Sequence, residues 1–253
     1  MSPIFVTGLI LSAAIGVSLG LIGGGGSILT VPILVYFLGV TPHDAVGMSL
    51  AVVGATSLFG SYLHYRRDNV DLKSGLLFGA AGTAGAIVGS PLTKLVSPGM
   101  LLLIFGALMF VVAVSMLWRR RHDGDEVPHS PHPVQGIAAG FGVGVLTGFL
   151  GVGGGFLIVP ALFYFGGLEM KKAIGTSLFV IFLNCVAGLI GHASQSTFEW
   201  RLTSVVIALA VGGAAAGTVL SHRLAAHRLQ RIFAFLVLGV GGFLIAKNHA
   251  ALF

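Results

Sequence analysis

Charge is scarce in this sequence. Of its 253 residues, 9% are Asp, Glu, Lys or Arg, and 55% are hydrophobic. A soluble domain carries about 25% charged residues. A water-facing surface cannot be covered from this composition, so lipid must solvate the chain. There is one cysteine, Cys185, which excludes an intrachain disulfide and a multi-cysteine metal site. It lies within an apolar segment and reads as a small packing residue. No Lys or Arg precedes the first apolar stretch, so the basic n-region of a cleaved signal peptide is missing, and residues 3–22 read as the first membrane helix. No Asp, Glu, Lys or Arg sits at the middle of any apolar stretch. Proton pumps and many cation carriers use such residues, so a carboxylate relay is disfavoured. No Walker lysine follows the glycine runs, and ATP is not implied. There is no Gly-x-Ser-x-Gly elbow, and the GxG patterns lack the strand and acidic residue of a dinucleotide site. No cofactor and no metal is expected.

What is present is long apolar runs. Residues 100–118 and 205–220 are continuous in this sense. Only helices or closed barrels span a bilayer, because the backbone must satisfy its own hydrogen bonds there. Barrel strands alternate apolar and polar residues, which these runs do not, so they read as helices. The formal charge is +6, but the basic residues lie in loops beside apolar segments. That is the pattern of topology signals and not of a nucleic-acid surface.

The chain repeats itself with an offset of 128 residues (148 − 20). GLIGGGGSILTVP at 20–32 falls on GFLGVGGGFLIVP at 148–160, and AVGMSL at 45–50 falls on AIGTSL at 173–178. The register persists further on, with Gly60 on Gly188, His64 on His192, Gly85 on Gly213 and Gly89 on Gly217. Each half holds five apolar pieces: 3–22, 27–40, 45–63, 74–96 and 100–118 in the first, and 134–150, 155–168, 173–191, 203–222 and 231–246 in the second. A full crossing needs about 20 residues. The second piece of each half is shorter and follows a glycine run, the signature of a broken or re-entrant helix.

Lys and Arg gather in four loops, at Arg66, Arg67 and Lys73; at Arg119, Arg120 and Arg121; at Lys171 and Lys172; and at Arg223, Arg228 and Arg231. The positive-inside rule places these loops in the cytoplasm. The third piece of the first half then runs inward while its counterpart runs outward. The expected fold is therefore an all-α polytopic membrane protein of two inverted repeats, 1–118 and 134–253, joined by a cytoplasmic linker at 119–133. Its histidines His122, His129 and His132 form no metal-ligand pattern. Inverted repeats place substrate near the midplane between discontinuous helices.

The glycine runs are the leading site candidates. A half-helix starting after each run leaves its first amides unpaired and its dipole aimed at the gap, which attracts anions. Gly24, Gly25, Gly26 and Ser27, with Gly153, Gly154 and Gly155, are the expected substrate contacts. Ser49, Thr176 and Ser177 lie just inside the third piece of each half, where hydroxyls either face a cavity or bond their own backbone. Asn184, with Thr56 at the equivalent place, lies deeper. His64 and His192 stand where the third pieces leave the membrane, as gating or protonation residues or as ordinary interfacial histidines. Gly136, Gly140, Gly144 and Gly148 form a small-xxx-small stripe that reads as helix packing. Asp44 reads as part of a helix N-cap region.

The doubled glycine–proline element at 23–32 and 151–160, together with the doubled Ala-x-Gly-x-Ser-Leu at 45–50 and 173–178, resembles the TauE/SafE permeases over nearly the whole chain. Met48 stands where the second copy has Thr176. The resemblance implies a multi-pass protein of the bacterial inner membrane that moves sulfite or a sulfonate such as sulfoacetate, mostly outward. The residues themselves support a small anion and the resemblance supplies the sulfur. Alternatives on the same scaffold are an anion channel or a carrier of another small anion. An intramembrane hydrolase fails on geometry, because Ser177 and His192 stand about 22 Å apart on one helix at the usual rise. The chain is expected not to be an enzyme. Its expected partners are a small anion and the bilayer, with no nucleic acid, and the sequence leaves a homodimer open.

Overall fold

A computed structural model describes residues 3–96, 98–118, 133–150, 155–192 and 199–248. Among these residues the chain is all-helical, with ten α-helices and one short 3-10 helix. They are α1 (Pro3–Ile22), α2 (Gly25–Tyr36), α3 (Pro42–Tyr65), α4 (Leu72–Gly89), the 3-10 helix Ser90–Leu95, α5 (Pro98–Trp118), α6 (Pro133–Leu150), α7 (Gly155–Tyr164), α8 (Met170–His192), α9 (Trp200–Arg223) and α10 (Ala226–Asn248). The linker read at 119–133 lies, up to residue 132, outside the described residues.

Local chemistry sets the boundaries. Pro42 occupies the first turn of α3, where a missing N–H costs nothing, and the Thr41 hydroxyl accepts from the Asp44 amide. α2 stops where the chain turns through Gly39 at φ +71°, a conformation that favours glycine. The piece read as 74–96 is shorter as a helix. α4 ends at Gly89 and the chain tightens into the 3-10 helix, because Pro91 cannot continue the α-helical hydrogen-bond ladder. α9 ends on His222 and Arg223, cations or potential cations at the negative end of the helix dipole.

Five helices are long and apolar enough to cross a membrane: α1, α3, α4, α8 and α9. α2 and α7 have 12 and 10 residues. At helical rise they reach about 18 and 15 Å, short of the roughly 30 Å hydrocarbon core. Each contains a proline, Pro32 and Pro160. α7 is enclosed, with every residue from Gly155 to Phe163 buried.

Lipid tails are as apolar as leucine, so burial alone does not hold membrane helices together, and close backbone approach does. Glycines supply it here. On the α1–α9 pair, a Cβ on Gly16 or Gly20 would strike the carbonyls of Ala210 and Ala214, and one on Gly213 or Gly217 would strike those of Ala13 and Val17. On the α4–α6 pair, Gly144 and Gly148 lie against the Gly82 and Ala86 carbonyls, and Gly85 and Gly89 against those of Phe141 and Val145. Gly140 joins them against Phe78, whereas a Cβ on Gly136 would meet nothing within 4 Å. The packing stripe therefore runs over three of its four glycines. α3 crosses α8 through Gly60 on Leu178 and Gly188 on Leu50. α5 and α10 are joined where the Gln230 amide donates to the Met116 carbonyl at 2.6 Å.

Candidate functional site

The ends of α2 and α7 meet at the centre of the molecule. α1 stops at Ile22, and Gly23 turns the chain with φ +77°. That conformation strains any residue with a side chain. The turn brings Gly24 against the start of α7. A Cβ on Gly24 would overlap the Gly155 carbonyl and stand 2.6 Å from the Phe156 amide nitrogen. In return, a Cβ on Gly155 would lie 2.8 Å from the Ser27 hydroxyl oxygen and 3.3 Å from the Gly24 carbonyl oxygen. Two helix N-termini thus abut through bare backbone.

The sequence leaves the α2 terminus without a side-chain cap. Gly24, at the N-cap of α2, offers no side chain to the first-turn amides, which an Asp, Ser or Thr would engage. The Ser27 hydroxyl donates backward to the Gly24 carbonyl at 2.7 Å. α8 closes one side: a Cβ on Gly23 would sit 2.5 Å from the Ser177 hydroxyl oxygen and 3.4 Å from the Ile174 carbonyl oxygen. Ser177 is buried and donates to Ile174 at 2.7 Å. The groups that converge are backbone atoms, two serine hydroxyls and the positive ends of two helix dipoles. Chemically this suits a small anion.

The expected site residues divide accordingly. Gly24, Ser27, Gly155 and Ser177 come together. Gly25 is one step removed, its hypothetical Cβ 3.3 Å from Leu236 and 3.4 Å from the Ser18 hydroxyl oxygen. Gly26 faces the Ile15 carbonyl and Leu19 of α1, a packing contact. Gly153 and Gly154 lie outside the described residues. Ser49 is buried and donates to Val46 at 2.8 Å, and Thr56 does the same to Val52 at 2.6 Å. Thr176 is buried, and its hydroxyl accepts from the Asp71 amide at 2.9 Å, which ties α8 to the α3–α4 loop. Asn184, partly exposed, lies two turns beyond Ser177 on the same face of α8.

His64 is not an open interfacial side chain: only 1% of it is exposed. Its Nε2 meets the Gly20 carbonyl at 3.2 Å, and its ring stands 5.0 Å from that of His222, centroid to centroid. The His192 side chain lies outside the described residues. Sequence reasoning missed His222, Asn69 and the buried hydroxyls of Ser18, Ser57 and Thr218. Repetition was the guide, and at the 128-residue offset Ser18 faces Leu146, Ser57 faces Cys185 and His222 faces Lys94. The signal that was available is polarity inside apolar helices, which marks function by default only for ionisable groups.

Comparison with known proteins completes the assignment. The sequence profile of the family described as "Sulfite exporter TauE/SafE" matches residues 8–244. A "Probable membrane transporter protein" of Xylella fastidiosa (strain Temecula1) is 36% identical over 245 residues, 94% of each chain. YunE of Bacillus subtilis (strain 168), a "Probable membrane transporter protein", is 28% identical over 268 residues, covering 96% of this chain and 98% of its own. A namesake from Methanocaldococcus jannaschii, MJ0441, is 33% identical over 120 residues, 45% and 44% of the two chains. No solved structure matches. A charge-poor chain whose described residues are all-helical, with five helices among them long and apolar enough to cross a membrane, and whose residues 8–244 match the profile, is a membrane transporter, and it belongs to the TauE/SafE sulfite exporter family.

Proposed function

We propose that the chain is a secondary transporter that carries a small sulfur oxyanion, sulfite or an organosulfonate such as sulfoacetate, outward across the bacterial inner membrane by alternating access. The observation that carries this reading is the meeting of the α2 and α7 N-termini at Gly24 and Gly155, with the Ser27 and Ser177 hydroxyls beside them. Two dipole ends and unpaired amides hold an anion without a charged side chain, which fits the absence of charge at the centre of the apolar segments. The sulfur in the cargo rests on the family description. In this reading Gly24, Ser27, Gly155 and Ser177 form the core of the site, and Gly25, Gly26, Gly153 and Gly154 complete the amide set. Ser49 and Asn184 line the approach, and Thr176, His64 and His192 act at its rims.

The proposed architecture is a pair of inverted repeats, with α2 and α7 as half-helices entering from opposite faces. Its support is that the backbone contacts recur at the offset of the sequence duplication. Gly16 on Ala210 corresponds to Gly144 on Gly82, Gly20 on Ala214 to Gly148 on Ala86, and Gly60 on Leu178 to Gly188 on Leu50. Such a frame supplies two related conformations facing opposite sides.

The test is sulfite flux through purified protein in liposomes, with sulfate and a C2 sulfonate as competitors. Saturable sulfite flux that Ser177→Ala weakens supports cargo and site together. Flux of a sulfonate alone keeps the mechanism and changes the cargo. Silence toward every anion refutes the reading.

A further inference from the structure

A second polar site lies beneath the anion site, at the end of α1 that carries the glycine break. His64 on α3 and His222 on α9, 158 residues apart (222 − 64), place their rings 5.0 Å apart and tilted at 45°. Each uses one nitrogen. His64 Nε2 meets the Gly20 carbonyl at 3.2 Å, and His222 Nδ1 meets the Asn69 side-chain amide at 3.4 Å. Among the described residues, no hydrogen-bond partner reaches His64 Nδ1 or His222 Nε2, and both atoms are buried.

The partners set the tautomers. A carbonyl only accepts, so Nε2 of His64 carries the hydrogen and Nδ1 presents a bare lone pair. The Asn69 amide donates to Nδ1 of His222, so Nε2 of that ring carries the hydrogen. His64 Nδ1 is therefore the one basic lone pair in the pair, and a proton added there leaves the bond to Gly20 intact. The bond itself has a structural origin. Gly20 lies among the last four residues of α1, whose carbonyls lose their helical partners because the helix stops at Ile22. The charged groups facing the rings are Arg67, at the end of α3, for both histidines, and Lys171, at the start of α8, for His222. The Lys171 ammonium also reaches the His222 carbonyl at 3.5 Å. Arg223 follows His222 and is exposed. The Asp71 carboxylate, on the loop that carries Asn69, is engaged by the Ser74 amide and hydroxyl at 3.1 and 2.9 Å.

None of these groups neutralises an imidazolium, but an anion held at the proposed α2–α7 junction would. Gly20 precedes the Gly23 turn by three residues. A Cβ on Gly175 would stand 2.9 Å from the His64 Cβ, and Gly175 is two residues from Ser177. His64 thus touches α1, which leads into the Gly23 turn, and α8, which carries Ser177.

We infer that the His64–His222 pair is a proton-binding site linked to the anion site, so that one proton binds with the anion and the two cross together. This rests on the anion-transport reading of the α2–α7 junction. The step is a plain protonation: His64 Nδ1 gains a proton from the side of the membrane to which the carrier is open and releases it on the other, and no electrons move. His222, 5.0 Å away, confines the pair to a single added charge, because two imidazolium rings at that separation repel strongly.

Calorimetric titration of sulfite into the purified, full-length protein, in two buffers of different ionisation heat, counts the protons taken up. Sulfite's own titration is common to wild type and variants, so their difference isolates the protein's proton. His64→Gln keeps an amide to donate to Gly20 but removes the basic lone pair. Uptake is expected to fall by close to one proton per sulfite bound. The wild-type loss of affinity with rising pH, up to about tenfold per pH unit for one linked proton, is expected to flatten. His64→Asn, which also removes the basic lone pair, serves in its place if the first variant does not fold. Equal proton uptake and equal pH dependence in wild type and folded variant overturn the inference. No sulfite or sulfonate binding by the wild type sinks the anion reading instead.

Discussion

Gly24→Ala adds one methyl group where the structure has no place for it. The new carbon would overlap the Gly155 carbonyl and come within 2.6 Å of the Phe156 amide nitrogen. Ordinary contact begins near 3.4 Å, and every atom in the way is backbone, so no side chain can rotate aside. α2 and α7 must separate by roughly an ångström, which at typical overpacking costs is worth about 1–3 kcal/mol. That separation falls on the amides proposed to hold the anion. If half of the cost appears as lost anion binding, flux at limiting sulfite drops about two- to twelvefold. Gly142→Ala is the control, because a Cβ there would meet nothing within 4 Å and alanine favours a helix over glycine by about 1 kcal/mol. Sulfite flux from liposomes, normalised to folded protein, and a melting curve for each variant complete the assay. Wild-type flux in Gly24→Ala, with the melting temperature unchanged, would refute the claim that the two helix ends abut.

Three further outcomes follow from the same coordinates. Thr176→Val removes the acceptor of the Asp71 amide and should cost about 1–3 kcal/mol of stability, read as a lower melting temperature. Gly20→Leu and Gly148→Leu drive a side chain into the Ala214 and Ala86 carbonyls, and both should fail to accumulate as monodisperse protein in detergent. For topology, Cys185 is buried, so the wild type provides a quiet background. Leu72→Cys should react with an impermeant maleimide only in inside-out vesicles and Glu199→Cys only in intact cells; labelling of both from one side refutes the inverted arrangement.

The helices were largely legible because their length and apolarity are dictated by the bilayer. Residues 3–22 were read to the residue as α1, and α2 and α7 were found from the glycine runs before them. The misses fell at ends: the pieces read as 27–40, 74–96 and 155–168 overrun helices that stop at Tyr36, Gly89 and Tyr164, and elsewhere polar residues continue the helix past the apolar run. α10 begins at Ala226, ahead of the apolar stretch at 231, because Arg228 and Gln230 still take helical geometry, with Gln230 buried on Met116 of α5. The meeting of Gly24 and Gly155 is what the proposed inverted frame would give, with the two copies of one element facing each other. The His64–His222 contact does not follow from it, because it joins a repeated residue to an unrepeated one.

That contrast bears on how such a carrier is driven. Backbone packing recurs at the offset on both sides, as Gly20 on Ala214 and Gly148 on Ala86. Buried polarity recurs only in part, as in Ser49 and Ser177. Ser18, Ser57 and His222 have Leu146, Cys185 and Lys94 as their counterparts. In the proposed inverted frame, equal packing makes the inward- and outward-facing states close in energy, which alternating access requires. Unequal chemistry then makes them respond differently to a bound charge, since a ligand shifts a conformational equilibrium only by its differential interaction with the two states. A proton on His64 is such a ligand, because the Gly20 carbonyl that holds this ring belongs to α1 and packs on α9 while the ring itself belongs to α3. Any motion of α1 and α9 relative to α3 must lengthen or release that bond. In liposomes with a strongly buffered interior, outward sulfite flux should therefore slow as external pH is lowered, and His64→Gln should abolish the dependence while keeping flux down the sulfite gradient. Flux indifferent to external pH in the wild type would mean that the asymmetry of the two halves serves stability alone.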